Sequence, residues 1–118
     1  AFSPRLALLG IKKNARLYVP YLLSCGALTF APIDTDAFRC YGLARQCAAA
    51  GGTACAILNA ANEEAVLAFL RGETGFNGIH KTVEAALDKV TVKYRPSLAD
   101  ILEADRLARQ AARAVLSR

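Results

Sequence analysis

Residues Ala54–Leu70, ACAILNAANEEAVLAFL, lie between Gly51-Gly52 and Gly72 and carry the strongest indication of the fold. Its apolar residues recur at helical spacing: Leu58, Ala61, Ala65 and Phe69 form one stripe, and Ile57, Val66 and Leu70 widen it. A helix that is apolar on nearly every side belongs in the middle of a bundle. We therefore predict a central helix here, with Thr53 as its N-cap residue.

Helices are also predicted on both sides of this central one. Upstream, Asp34, Thr35 and Asp36 place acids and cap formers at the start of a helix that ends at Gly51-Gly52. Downstream, Asn77 is the predicted cap of a helix whose apolar residues share one face: Ile79, Val83, Ala86, Leu87 and Val90. The segment 89–94 either prolongs that helix or becomes extended, because residues 90–92 are β-branched.

The last predicted helix begins after Pro96, which forces a break in the chain. Ser97 and Asp100 are spaced as in a capping box. The residues expected to point inward are Leu98, Ile101, Leu102, Ala108, Ala112 and Val115. The predicted fold of residues 26–118 is thus all-α, a small four-helix bundle.

The first 25 residues predict one more helix, over residues 4–18, with Ser3 as its N-cap and Pro4 at its first position. Four cations share a face of this basic amphipathic helix: Arg5, Lys12, Lys13 and Arg16. Residues 1–30 hold no acid at all. A membrane surface or a protein partner is therefore a candidate contact for residues 1–20.

Composition limits the functions open to the chain. With 118 residues, of which 54% are hydrophobic, it can build one core but not a two-domain enzyme. The net charge of +5 comes almost wholly from the first 30 residues. Because the remaining body is nearly neutral, we predict no nucleic-acid partner.

No motif in the chain indicates a catalytic, cofactor-binding or metal-binding residue. Gly-rich phosphate loops and nucleophile elbows are absent from the sequence, and the single histidine, His80, is expected to be solvated. The four cysteines Cys25, Cys40, Cys47 and Cys55 form no CxxC pair, so a zinc site is not predicted. We expect reduced, mostly buried thiols in a cytoplasmic protein.

The polar residues of the central helix are its unusual feature. Asn59, Asn62 and Glu63 lie at i, i+3 and i+4, so they share one face and can form a joint hydrogen-bond network. We expect a structural role, in which buried side chains bond to backbone groups of the 51–52 turn and the 71–77 loop. Contact with a ligand or partner is the alternative.

The same segment carries a family resemblance. Leu58-Asn59-Ala60-Ala61-Asn62-Glu63, followed by Ala65-Val66 and Ala68-Phe69-Leu70, resembles the LNAANE-x-AV-x-AFL signature of 1-deoxy-D-xylulose 5-phosphate reductoisomerase. The upstream pattern of Leu28-Thr29-Phe30, Asp34, Phe38, Cys40 and Gly51-Gly52 is similar to that family as well, as are Gly75-Phe76 and Ser97-Leu98 downstream. The resemblance runs over about residues 26–118. Arg39 and Glu64 depart from the pattern, since a proline and an apolar residue are usual there.

The resemblance implies that residues 26–118 are the C-terminal α-helical domain of such an enzyme. The parent reaction is an NADPH-dependent rearrangement and reduction to 2-C-methyl-D-erythritol 4-phosphate in isoprenoid synthesis by the non-mevalonate pathway, with a divalent metal. Its catalytic, cofactor-binding and metal-binding residues all precede this domain in the family. The resemblance therefore implies a chain with no cofactor of its own, inactive alone, whose partner is the missing catalytic domain.

Residues 1–24 are not similar to the reductoisomerase. Over a short stretch, including Pro4-Arg5-Leu6 and Ile11-Lys12-Lys13, they resemble the start of certain ABC-transporter permeases. We therefore predict two parts, an unrelated basic segment at 1–25 and the reductoisomerase-like bundle at 26–118. The leading hypothesis is a non-catalytic C-terminal domain joined to that segment by truncation or rearrangement, and the alternative is a small membrane-surface or interaction module that acts through the helix at 4–18.

Overall fold

Four helices make up the fold in a computed structural model that describes residues 26, 27 and 29–117. They are α1 (Arg39–Ala50), α2 (Ala54–Leu70), α3 (Phe76–Lys89) and α4 (Leu98–Leu116). All four lie in the second of the two units into which the chain divides, Ile33–Arg118. The described residues contain no strand, and the predicted all-α four-helix bundle is confirmed. The predicted helix over residues 4–18 lies outside the described residues.

Helix α1 begins later than the sequence pattern predicts. The Asp34 carboxylate accepts hydrogen bonds from the backbone N–H groups of Asp36 and Ala37, both at 3.0 Å. These bonds close a turn over residues 35–38, and the helix starts only at Arg39. The predicted end is confirmed, because Gly51 adopts a φ of 69° and its N–H donates to the Cys47 carbonyl at 3.0 Å.

Thr53 is the N-cap residue of α2, as predicted, but its side chain makes no capping hydrogen bond to the helix. Its hydroxyl instead accepts a hydrogen bond from the Lys93 N–H at 3.0 Å, and its own N–H donates to the Lys93 carbonyl at 3.1 Å. Thr53 is completely buried as a result. We call these two hydrogen bonds the 53–93 latch. They join the start of α2 to the connection between α3 and α4.

Helix α3 is capped differently from the prediction, whereas α4 follows it. Gly75 is the N-cap residue of α3, so Asn77 lies inside the first turn. The helix ends at Lys89 and Val90 is extended, which decides between the two predicted conformations of this segment. In α4 the capping box is confirmed: the Ser97 hydroxyl accepts from the Asp100 N–H, and the Asp100 carboxylate accepts from the Ser97 N–H.

Helix α2 is the central element, as predicted. It packs against each of the other three helices, and it contributes more buried residues than any other helix of the described chain. Most of the core side chains are small. The main core cluster consists of Ile57, Ala60, Ala61, Val83, Ala86, Val90, Ala104, Ala108, Ala111 and Ala112.

The inward face of α4 is only partly the one predicted. Ala108 and Ala112 are buried, but Leu98 and Leu102 are 71% and 62% exposed, and Ile101 is exposed as well. Val115 is half-buried. The physical reason is that alanines let helix backbones approach closely, so α4 presents its alanine stripe to α2 and α3 and leaves its leucines outside.

Candidate functional site

The three polar residues of the α2 motif lie at the surface of the bundle. Asn59 and Glu63 are exposed and Asn62 is half-buried, so the expectation that the bundle buries them is wrong. The interior side of α2 is occupied by Ile57, Ala60, Ala61 and other small residues instead. At 100° per residue, the amides and the carboxylate fall on the opposite side of the helix.

Two of these three residues bond to each other. The Asn59 Nδ2 donates to the Glu63 Oε1 at 3.2 Å, one helical turn along α2. No side-chain hydrogen bond of Asn62 is found within the part of the chain that the structure describes, and none of the three reaches the 51–52 turn or the 71–77 loop. The structure therefore joins Asn59 to Glu63 and leaves Asn62 apart.

Glu63 belongs to a larger arrangement of charges between α2 and α4. Arg109 donates to the Glu63 carboxylate at 2.7 Å and to the Asp105 carboxylate at 2.8 Å, and it lies 3.4 Å from Glu64. Arg113 binds both Glu64 oxygens, at 2.8 and 2.9 Å. We call these five residues, Glu63, Glu64, Asp105, Arg109 and Arg113, the arginine–glutamate cluster.

The two arginines favour the ionised forms of Glu63 and Glu64. The Arg109 guanidinium, helped by the Asn59 amide, lowers the pKa of Glu63, and the Arg113 guanidinium lowers the pKa of Glu64. In return, the pKa of Arg109 is raised, first by Asp105 and then by Glu63. A carboxylate held in this state is a poor general acid, and its oxygens are already engaged by guanidinium groups.

The family resemblance implies a divalent metal and NADPH for the whole enzyme, of which this structure describes residues 26, 27 and 29–117. No group of three or more His, Cys, Asp or Glu side chains there is placed to hold a metal ion. The acids of the cluster that lie near one another are bound to Arg109 and Arg113.

The pairing of Arg109 and Arg113 with α2 is not evident in the sequence. From the sequence, both are simply cations suited to the C-terminal part of a helix. The signal that could have found them is weak: Glu64 stands where an apolar residue is usual, and it needs a partner because its side chain is only 12% exposed. Arg39, the other departure, is paired too, with its Nη2 2.8 Å from the Glu84 carboxylate.

The remaining predicted residues are spread over the bundle. His80 is half-buried rather than solvated, in a groove between the 33–41 segment and α3. The three cysteines that the structure describes are free thiols: Cys47 is buried, Cys40 is half-buried and Cys55 is exposed. Burial raises the pKa of the Cys40 and Cys47 thiols, so neither is an activated nucleophile.

The basic residues Arg5, Lys12, Lys13 and Arg16 lie outside the described residues, and their membrane or partner contact stays a prediction. Among the helices that the structure describes, none is both long and apolar enough to span a bilayer.

The arginine–glutamate cluster yields a pH prediction. Because Glu64 has a lowered pKa in the folded protein, its ionised form stabilises the fold above its ordinary pKa of 4.5, and that contribution is lost as the pH falls further. We expect Glu64→Gln to lower the free energy of unfolding by about 1 kcal/mol at pH 7, a modest value because Arg113 is 67% exposed. Urea unfolding from pH 7 to pH 3 measures it.

The difference between the parent and the Glu64→Gln variant should shrink toward zero at the acid end of that series, since the parent then loses the same charge. Glu84→Gln, which removes the ion pair between α1 and α3, is a comparison variant, because it leaves the arginine–glutamate cluster intact. A difference that stays constant down to pH 3 would show that Glu64 contributes by packing alone.

Comparison with known proteins places these features in a family. The family model for the DXP reductoisomerase C-terminal domain matches residues 8–111. The 1-deoxy-D-xylulose 5-phosphate reductoisomerase of Geobacillus kaustophilus is 46% identical over 95 residues, which are 80% of this chain and 25% of that protein. The enzymes of the same name from Symbiobacterium thermophilum and Xanthomonas oryzae pv. oryzae are 49% and 52% identical, over 78% and 75% of this chain and 24% and 22% of theirs.

The matches differ in how much of each protein they cover. The chain spans about a quarter of the length of the curated relatives it matches. The family match begins at residue 8, within the segment 1–25 that the sequence analysis treats as unrelated. The predicted division of the chain at residue 25 stays a prediction.

Proposed function

This chain belongs to the DXP reductoisomerase family, as a match to its C-terminal domain, and from that premise we propose that it serves as the helical, non-catalytic part of a 1-deoxy-D-xylulose 5-phosphate reductoisomerase. In this proposal the rearrangement of the substrate and its reduction by NADPH take place in the part of the enzyme that precedes the bundle. The partner of the bundle is that catalytic part, and the location is the cytoplasm.

The observation that carries the proposal is the family match over residues 8–111, together with identities of 46–52% to enzymes of this name. The geometry supports it in a second way. Asn59, Glu63 and Glu64 of α2 are engaged in ion pairs and hydrogen bonds at the surface of the bundle. Such an arrangement fixes helices relative to each other and offers no unengaged acid or base for proton transfer.

The proposal is tested by a chimera. Residues 33–118 replace the matching C-terminal segment of the Geobacillus kaustophilus enzyme, and NADPH oxidation with 1-deoxy-D-xylulose 5-phosphate is followed. We expect kcat/KM within about tenfold of the intact relative, a difference of about 1.4 kcal/mol in the activation free energy. The 118-residue chain assayed alone should show no turnover and no saturable NADPH binding.

A matched control tests whether the Geobacillus enzyme stays active with any helical bundle in place of its own C-terminal segment. In it, the same C-terminal segment of the Geobacillus enzyme is replaced by an unrelated helical bundle of similar length. Loss of activity in this control, with activity kept in the chimera, supports the proposal. A chimera that folds but is no more active than the control, or turnover by the isolated chain, would overturn it.

A further inference from the structure

An apolar groove lies between the 33–41 segment and the start of α3. Its volume is about 270 Å³, and its apolar lining includes Ile33, Phe38, Cys40, Tyr41, Phe76 and Ile79. Phe76 is 60% exposed and Phe38 is 54% exposed, although both are large apolar side chains. Phe69 extends the surface, because its ring meets that of Phe76 edge to face with the centroids 6.2 Å apart.

The groove gathers much of the aromatic content of the protein. Four of its nine phenylalanines and tyrosines lie in or beside this groove: Phe38, Tyr41, Phe69 and Phe76. Contiguous exposed aromatic surface of this kind marks an interaction site in soluble proteins, and aromatic residues are enriched at the centres of interfaces. Single exposed leucines elsewhere on the bundle carry no such meaning.

The charges around the groove are compatible with burial. Arg39, which lines it, donates through its Nε and Nη2 to one oxygen of Glu84, at 3.0 and 2.8 Å. The guanidinium therefore already has a carboxylate partner. A partner that covers the groove therefore desolvates an ion pair that is already formed and the His80 imidazole, but no unpaired guanidinium.

The position of the groove in the chain indicates what covers it. It is lined by the first residues of the bundle unit, Ile33 to Tyr41. In the curated relatives, about three quarters of the polypeptide lies outside the matched segment, and a C-terminal domain receives its connection at its N-terminal end. In sequence, residues 8–32 join that preceding polypeptide to the segment that lines the groove.

We propose that this aromatic groove docks the catalytic part of the reductoisomerase polypeptide, which inserts an uncharged ridge of aliphatic or aromatic side chains between Phe38 and Phe76. This inference rests on the proposed function and adds to it the surface through which the bundle acts. The groove then sets the orientation of the bundle against the catalytic part, because a buried aromatic pair restricts motion at a domain interface.

Cys40 provides the test, since its half-buried thiol lines the groove, while Cys55 is exposed on α2 and serves as the internal reference. Iodoacetamide labelling rates are measured by mass spectrometry in the active chimera and in the isolated 118-residue chain. We expect Cys40 to be labelled at least about tenfold more slowly in the chimera than in the isolated chain, after normalisation to Cys55, because the docked part excludes the reagent.

The variants are Phe38→Ser combined with Phe76→Ser, and Tyr94→Ser as the matched control. Tyr94 is 72% exposed and does not line the groove. In the double variant, Cys40 should be labelled about as fast in the chimera as in the isolated chain. In Tyr94→Ser, the slower labelling of Cys40 in the chimera should remain. Comparing each variant with its own isolated chain removes the direct effect of the substitutions on Cys40, and circular dichroism of the isolated variants checks that the bundle is folded.

The outcomes distinguish a failure of this inference from a failure of the proposed function. An inactive chimera sinks the proposed function. An active chimera in which Cys40 is labelled as fast as in the isolated chain leaves that function standing and overturns the groove as the docking surface. Concentration-dependent protection of Cys40 in the isolated chain, with dimers in sedimentation, would overturn it in favour of a second copy of the chain.

Discussion

Replacing Ile57 with alanine is expected to lower the free energy of unfolding by about 3 kcal/mol, within the 2–5 kcal/mol that such truncations cost. Ile57 is completely buried and is among the largest side chains that the described core encloses. Its neighbours in the core are mostly alanines. An alanine has no rotatable side chain that could move into the cavity left by the substitution. The loss of stability should therefore lie above the low end of that range.

The measurement is urea unfolding of the 118-residue chain, followed by circular dichroism at 222 nm. Leu102→Ala is the matched control, because it removes a similar volume from an apolar helical residue that is 62% exposed. We expect that control to change stability by less than about 0.5 kcal/mol. If the two variants cost the same, α4 buries its leucine face in solution and the alanine-lined core is wrong.

The second large effect is expected at Gly52, where alanine should cost about 2–3 kcal/mol. Gly52 has a φ of 59°, a left-handed conformation that costs an L-residue about 1–2 kcal/mol. In addition, a Cβ at this position would overlap the Lys93 carbonyl oxygen, so that carbonyl has to move. It accepts the N–H of Thr53 in the 53–93 latch, and a lost or weakened hydrogen bond adds about 1 kcal/mol.

Gly42→Ala is the control, and it is expected to raise the free energy of unfolding. Gly42 lies inside α1 and has no positive φ, and a methyl group added there would have no neighbouring atom within 4 Å outside its own helical turn. Alanine at this position should therefore stabilise the chain by roughly 0.5–1 kcal/mol. Thermal unfolding of both variants gives the comparison. Equal shifts at the two glycines would mean that the latch between Thr53 and Lys93 does not hold in solution.

The features of this fold that the sequence predicts correctly are those that depend on residues close together in the chain. The bounds of α2, the stop at Gly51 and the capping box of Ser97 and Asp100 follow correctly from the sequence, since each rests on residues within one or two helical turns. The predicted cap of α3 and the predicted start of α1 are wrong by a few residues. There the pattern offers several acceptable caps, and local hydrogen bonds such as those of Asp34 choose among them.

The candidate site is harder to predict. The sequence identifies Asn59, Asn62 and Glu63 as a group, and it indicates a structural role inside the bundle. The structure places them on the surface, with Glu63 bound to a side chain 46 residues away, that of Arg109. Hydropathy alone does not reveal this, because α2 is apolar on so many sides that its pattern does not say which side is the interior.

Periodicity, capping and the LNAANE motif are properties of neighbouring residues, so they predict where the helices lie, the all-α bundle and the family of the chain. Which faces are buried and which residues meet depends on how the helices pack. Leu98 and Leu102 face outward because alanine stripes pack more closely. Thr53 meets Lys93 and Glu64 meets Arg113 across 40 and 49 residues, contacts that exist only once the helices have packed.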